Sequence, residues 1–298
     1  MNARPARVID LPIANRVSNR DPRRPDFIDR WFKVDRFDAL IHEARQSDDD
    51  SPFSLKLLHA MNIGLKLDAG SCGRVPSTGA LIIASNHPFG GVVEGVLLAA
   101  LLRRVRGDVK VMSGTALSQV PELGNEWIFF RGGSRHSARQ LNTDSTINAS
   151  EWLERGGVLV VFPGALSAHG WIECSGDTTW HTPAWSLAWQ HKAKILPVCV
   201  AGRGRWVESR IARLHHRLSE LALARETVGC SHRELRIYVG SAFEVPQPAD
   251  HQGARDAVEQ ARIMTLNLDR EARYGPRHKN AHGSFIRSER CGSQTRTE

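Results

Sequence analysis

The feature that most constrains this chain is a series of short apolar runs, each bounded by glycine or proline, with helical stretches between them. The runs fall at 80–84, 108–112, 126–130, 157–162, 194–200 and 235–239, and helical stretches at 93–104, 137–155, 183–191 and 208–226 lie between several of them. A strand that reads as a continuous apolar run is buried on both faces, so its sheet needs helices on either side. The pattern predicts an α/β fold with a mixed, mostly parallel central sheet flanked by helices.

An N-terminal helical pair is expected ahead of this body. Phe27, Trp31, Val34, Phe37, Leu40 and Ile41 recur at three- and four-residue steps, the spacing of an amphipathic helix. Asp48-Asp49-Asp50-Ser51-Pro52 interrupts the chain, and Leu55, Leu57, Leu58 and Met61 follow on the apolar side of a second helix. The expected organisation is a helical segment at 26–70, an α/β domain at 71–246 and a C-terminal helix at 247–276. Polar stretches at 1–25 and 277–298 are expected to be disordered arms. No internal repeat is evident.

Composition narrows the partners. At 41% hydrophobic residues the chain can bury a sizeable core, and its net charge of +8 (pI about 9.6) favours anionic lipid surfaces, nucleic acid or acidic carriers. No helix-turn-helix or RNA-recognition signature accompanies the charge, so nucleic acid is not expected. The five cysteines (Cys72, Cys174, Cys199, Cys230, Cys291) are widely spaced without a CxxC pair, which fits a reducing cytosol better than a disulfide framework. No apolar h-region follows the N-terminus. The longest apolar candidate, at 92–102, is interrupted by Glu94 and ends in Arg103-Arg104. A peripheral contact with the inner face of the cytoplasmic membrane is the expectation.

Three strand exits carry chemistry. Asn86-His87-Pro88-Phe89-Gly90-Gly91 follows the run at 80–84, and ligands of open α/β sheets bind at the carboxyl ends of strands. A histidine there can act as a general base near neutral pH. Pro88 stiffens the turn, and Gly90 and Gly91 permit close backbone approach. Glu94, at the start of the following helix, stands close enough to orient the imidazole. The exit through Phe162-Pro163-Gly164-Ala165-Leu166-Ser167 offers amides for a phosphate or a developing oxyanion. Phe129-Phe130-Arg131-Gly132-Gly133-Ser134-Arg135 places Arg131 and Arg135 where they could grip an acceptor phosphate. His136 and His169 read as bystanders. GxSxG, P-loop, HExxH and His/Cys-cluster signatures are absent, and Gly202-Arg203-Gly204-Arg205-Trp206-Val207 reads as a turn. No metal or cofactor is expected.

The order of these motifs resembles the four blocks of the PlsC-type lysophospholipid/glycerolipid acyltransferases: Asn-His-Pro after a strand, an aromatic-aromatic-Arg exit, a Phe-Pro-Gly turn, and Ile195-Leu196-Pro197-Val198 followed by Gly202. The hemolysin-like branch, which includes ornithine-lipid acyltransferases, is the nearer match. It is carried by Val34-Asp35-Arg36-Phe37-Asp38-Ala39-Leu40, Gly107 to Val111, Val120 to Leu123, Leu214 to Leu218, Ala224-Arg225-Glu226 and Val239-Gly240. The resemblance implies transfer of a fatty acyl group from acyl-ACP or acyl-CoA to a hydroxyl of a lyso-lipid. His87 would be the base and Glu94 would stand at the position of the family's orienting aspartate. Asn86, Pro88, Phe89, Gly90, Gly91, Arg131, Arg135, Phe162, Pro163, Gly164 and Ser167 would contact substrate. The family places four residues between its histidine and aspartate; here six separate His87 from Glu94, and the Phe-Pro-Gly block lacks an acid and is one residue short. The alternative expectation is an acyltransferase-like protein that binds lipid or acyl carrier with impaired turnover.

Overall fold

The computed structural model describes residues 27–67, 71–130, 136–163, 183–202, 216–245 and 251–274. The arms expected at 1–25 and 277–298 lie outside them. A single eight-stranded sheet organises the chain, with its main path in the order β1-β7-β6-β2-β5-β3-β4. The strands are β1 (Gly64–Leu67), β2 (Leu81–Ser85), β3 (Val109–Gly114), β4 (Trp127–Phe130), β5 (Val158–Val161), β6 (Lys194–Ala201), β7 (Glu234–Val239) and β8 (Phe243–Glu244). Pairing is parallel except where β6 meets β7 and β8. The sheet is thus mixed and mostly parallel, as the apolar runs predict.

Period-two alternation divides the central strands between two cores. Leu81, Ile83, Val158 and Val160 face one side; Ile82, Ala84, Leu159 and Val161 face the other. The first core is covered by α1 (Phe27–Phe32), α2 (Val34–Gln46), α3 (Phe53–Ala60), α4 (Val92–Leu102) and α7 (His216–Cys230). The second is covered by α5 (His136–Glu154), α6 (Pro183–Gln190) and α8 (His251–Tyr274). Every residue of α4 is buried, which explains its nearly uninterrupted apolar sequence. Each large aliphatic side chain so buried contributes about 1.5–3 kcal/mol.

The sequence reading differs from the structure at two places in the N-terminal segment, and it did not anticipate β8. Lys33, with φ of 57°, separates α1 from α2, where a single helix was expected. The tetrapeptide Gly64-Leu65-Lys66-Leu67, within the stretch read as helical, is a strand pairing in parallel with β7. Among the described residues no helix is long and apolar enough to cross a membrane.

Two arginines tie the frame. The Arg103 guanidinium donates to Glu126, to Ser54 Oγ (2.8 Å) and to the Val109 carbonyl (3.0 Å). Glu126 also accepts from the Ser54 hydroxyl and amide at the first turn of α3, fixing the N-terminal helices to the sheet domain. Arg106 bonds both oxygens of Asp108 and the carbonyls of Gly79 and Gly156, gathering the loops that precede β2, β3 and β5. That clamp lies at the amino edge of the sheet and leaves the carboxyl edge to the loops described next.

Candidate functional site

β2 is the middle strand of the seven-strand path, paired in parallel with β6 on one side and β5 on the other. Its carboxyl end therefore sets the exit at Asn86 to Gly91 between the ends of β5, followed by Phe162, and β6, followed by Gly202. His87 stands one residue beyond Asn86 at that end, and Phe162 follows β5. Their ring centroids are 5.8 Å apart with a 44° tilt. Pro163 is also buried beside this edge. Gly164, Ser167, Arg131 and Arg135 lie outside the described residues. β4, which precedes Arg131, is the far edge strand, three places from β2 in the sheet order, or about 14 Å across the sheet.

The loop 86–91 is built from its sequence outward. Asn86 uses its side-chain amide as a peptide group would: Nδ2 donates to the Val200 carbonyl (3.0 Å) and Oδ1 accepts from the Val200 amide (2.8 Å). The Gly90 amide donates to the His87 carbonyl (3.1 Å), closing a turn. Gly90 and Gly91 have φ of 89° and 95°, left-handed values that glycine adopts without a Cβ penalty. A side chain on Gly90 would also meet Leu223 of α7 at 2.4 Å.

Glu94 sits at the third position of α4 and reaches back over this loop. Its carboxylate accepts from the Phe89 amide (2.5 Å) and from the Gly91 amide (2.9 Å). This is half of a capping box: glycine has no side chain to return the bond. Glu94 is close to His87 in the chain, but its hydrogen bonds go to the loop's main chain.

Both ionisable groups are buried, His87 at 7% exposure and Glu94 at 0%. Burial lowers the His87 imidazole from its ordinary value to about 4, so the ring is neutral at physiological pH. Burial raises the Glu94 carboxyl to about 7, against the lowering effect of the amides it accepts, and the negative charge of Glu226 adds to the rise. Glu226 had no assigned role in the sequence reading. Its signal was an acid on the buried face of α7, beside Ala222, Leu223 and Ala224 and followed by the buried Thr227.

No family model and no curated protein matches this chain. Among solved structures it is similar to the crystal structure of the 1-acyl-sn-glycerophosphate (LPA) acyltransferase PlsC from Thermotoga maritima, with a TM-score of 0.46 and 11% sequence identity, over 82% of this chain and 95% of that one. At that level the likeness identifies no family.

Proposed function

We propose that this protein moves a fatty acyl group from an acyl thioester, acyl-ACP or acyl-CoA, to a hydroxyl of a lyso-lipid acceptor, with His87 as the general base. The observation that carries the reading is a neutral, buried imidazole at the carboxyl end of the central parallel strand, beside Phe162 of the neighbouring strand. The motif order in the sequence supplies the reaction class.

In this mechanism the neutral His87 ring takes the proton of the acceptor hydroxyl. The freed oxygen attacks the thioester carbonyl carbon, the carbon–sulfur bond breaks, and the leaving thiolate recovers the proton from His87. Glu94 fixes the loop that presents the ring. The acceptor and carrier approach from an anionic membrane surface at the cytoplasmic face, where each nearby basic side chain contributes about 1 kcal/mol. A second reading, a lipid- or carrier-binding protein with impaired turnover, is favoured by one observation: both Glu94 oxygens are engaged by main-chain amides.

Incubating the full chain with acyl-ACP or acyl-CoA and a panel of lyso-lipids tests the assignment. Product formation is expected, with kcat falling about 10²–10⁴-fold in His87→Ala. Equal turnover by that variant overturns the base assignment, and binding without product by the wild type establishes the second reading.

A further inference from the structure

We propose that the carboxyl end of β6, from Val200 to Gly202, is a positioning element for His87, gripping its loop on both sides through Asn86 and Phe89. The inference deepens the acyl-transfer reading and rests on it for its kinetic consequence only. The first grip is the paired hydrogen bonding of Asn86 with the Val200 amide and carbonyl. It continues the β2–β6 register, in which Ser85 aligns with Val198, beyond the last residue of β2. The second grip is steric. A Cβ on Gly202 would lie 2.1 Å from Cζ of Phe89, 2.7 Å from Cε2 and 3.1 Å from Cε1.

The Phe89 ring tip therefore rests on the Gly202 backbone. Gly202 does not take a positive φ, so the reason for glycine here is space and not backbone conformation. Phe89 is 2% exposed, and its ring has little room to swing aside. The same residue donates its amide to Glu94. A push on the ring is thus transmitted to the loop backbone within two residues of His87. Gly202, Asn86 and Phe89 act through His87, so none of them is assigned contact with the reacting atoms. Sequence reading placed Asn86 and Phe89 among substrate contacts and Gly202 in a turn that closes the fourth block of the resemblance; the contacts of Asn86 and Phe89 with the end of β6 are long-range and invisible in the linear order.

The test compares Gly202→Ala, the double variant Gly202→Ala/Phe89→Leu and the control Gly107→Ala, whose added Cβ meets nothing within 4 Å. Two quantities are read: the pH midpoint of the His87 ring by NMR, assigned against His87→Gln, and kcat with KM for acyl transfer. Gly202→Ala is expected to raise the His87 midpoint by half a pH unit or more. It should lower kcat about 10–100-fold at nearly unchanged KM, the order of loss that misplacement by about 1 Å produces. Shortening Phe89 should restore both, and Gly107→Ala should change neither. Asn86→Ala, which removes both bonds to Val200 without adding a charge, should move the midpoint in the same direction and serves if Gly202→Ala does not fold. A lower unfolding midpoint with an unchanged His87 titration overturns the proposal, as does failure of Phe89→Leu to rescue. If wild type transfers no acyl group, the functional reading fails, while the NMR titration still decides the positioning role.

Discussion

Glu126 and Glu94 are both buried carboxylates close to the start of a helix, and they are held in opposite ways. Glu126 receives a guanidinium, that of Arg103, together with the hydroxyl and amide of Ser54. Glu94 receives main-chain amides from its own loop, and the charged neighbour that shifts it is another acid, Glu226. Opposite charge with complete hydrogen bonding makes Glu126 a fixed joint between the N-terminal helices and the sheet. Dipoles alone leave Glu94 close to its titration point at neutral pH. Among the described residues, the two groups that burial shifts most, His87 and Glu94, belong to this loop and the helix that follows it.

Breaking the joint gives the largest expected effect on stability. Arg103→Ala leaves Glu126 buried without its cation and should cost about 3–5 kcal/mol in urea unfolding. Less than 1 kcal/mol would show Glu126 to be as tolerant of an unpaired charge as Glu94 and would erase the contrast.

The pH dependence sharpens it. The folded-state carboxyl of Glu94 is raised from 4.5 to about 7, so its contribution to stability is greatest below pH 4.5 and is lost as pH rises through 7. The His87 ring is lowered from 6.5 to about 4, so its contribution is present above pH 6.5 and is lost as pH falls through 4. Each change amounts to about 3 kcal/mol, and the two oppose each other. Wild-type stability should be nearly flat between pH 4.5 and 6.5 with respect to this pair. His87→Gln should then lose about 3 kcal/mol as pH rises from 4.5 to 8, and Glu94→Gln should gain a similar amount from pH 4 to 7. Parallel slopes in the two variants would contradict the opposed burial of the pair.

The smallest effect is expected at the surface. Arg45 and Glu122 form a half-exposed pair with Nε–Oε1 at 2.6 Å. Arg45→Ala should cost less than about 1 kcal/mol, and that cost should shrink in high salt. A cost near that of Arg103→Ala would mean that burial does not separate the two arginines.

The legibility of this molecule follows the range of its interactions. β2, β5 and β6 show in the sequence because apolar residues on both faces give dense runs, while β3 and β7 show by alternation of buried apolar with more exposed residues. β1 stayed hidden because Gly64-Leu65-Lys66-Leu67 is short, half-polar and paired with a strand far along the chain. His87 was legible as a strand-exit histidine. The partners of Glu94 were not, because sequence names a side chain without saying which atoms face it. The seat of Phe89 on Gly202 and the placement of Glu226 beside the loop are likewise products of tertiary packing.

The pairing of β1 with β7 also sets an order of events during synthesis. Leu67 waits for Ile237, about 170 residues later, and α1 and α2 lie against α7, which is completed only at Cys230. At ribosomal speeds of about 5–20 residues per second, this segment stays unpartnered on that side for roughly ten to thirty seconds after it is made. The segment 27–67 is therefore made well before the elements that lock it. A nascent chain stopped before α7 would present the apolar faces of α1 and α2 to whatever it meets.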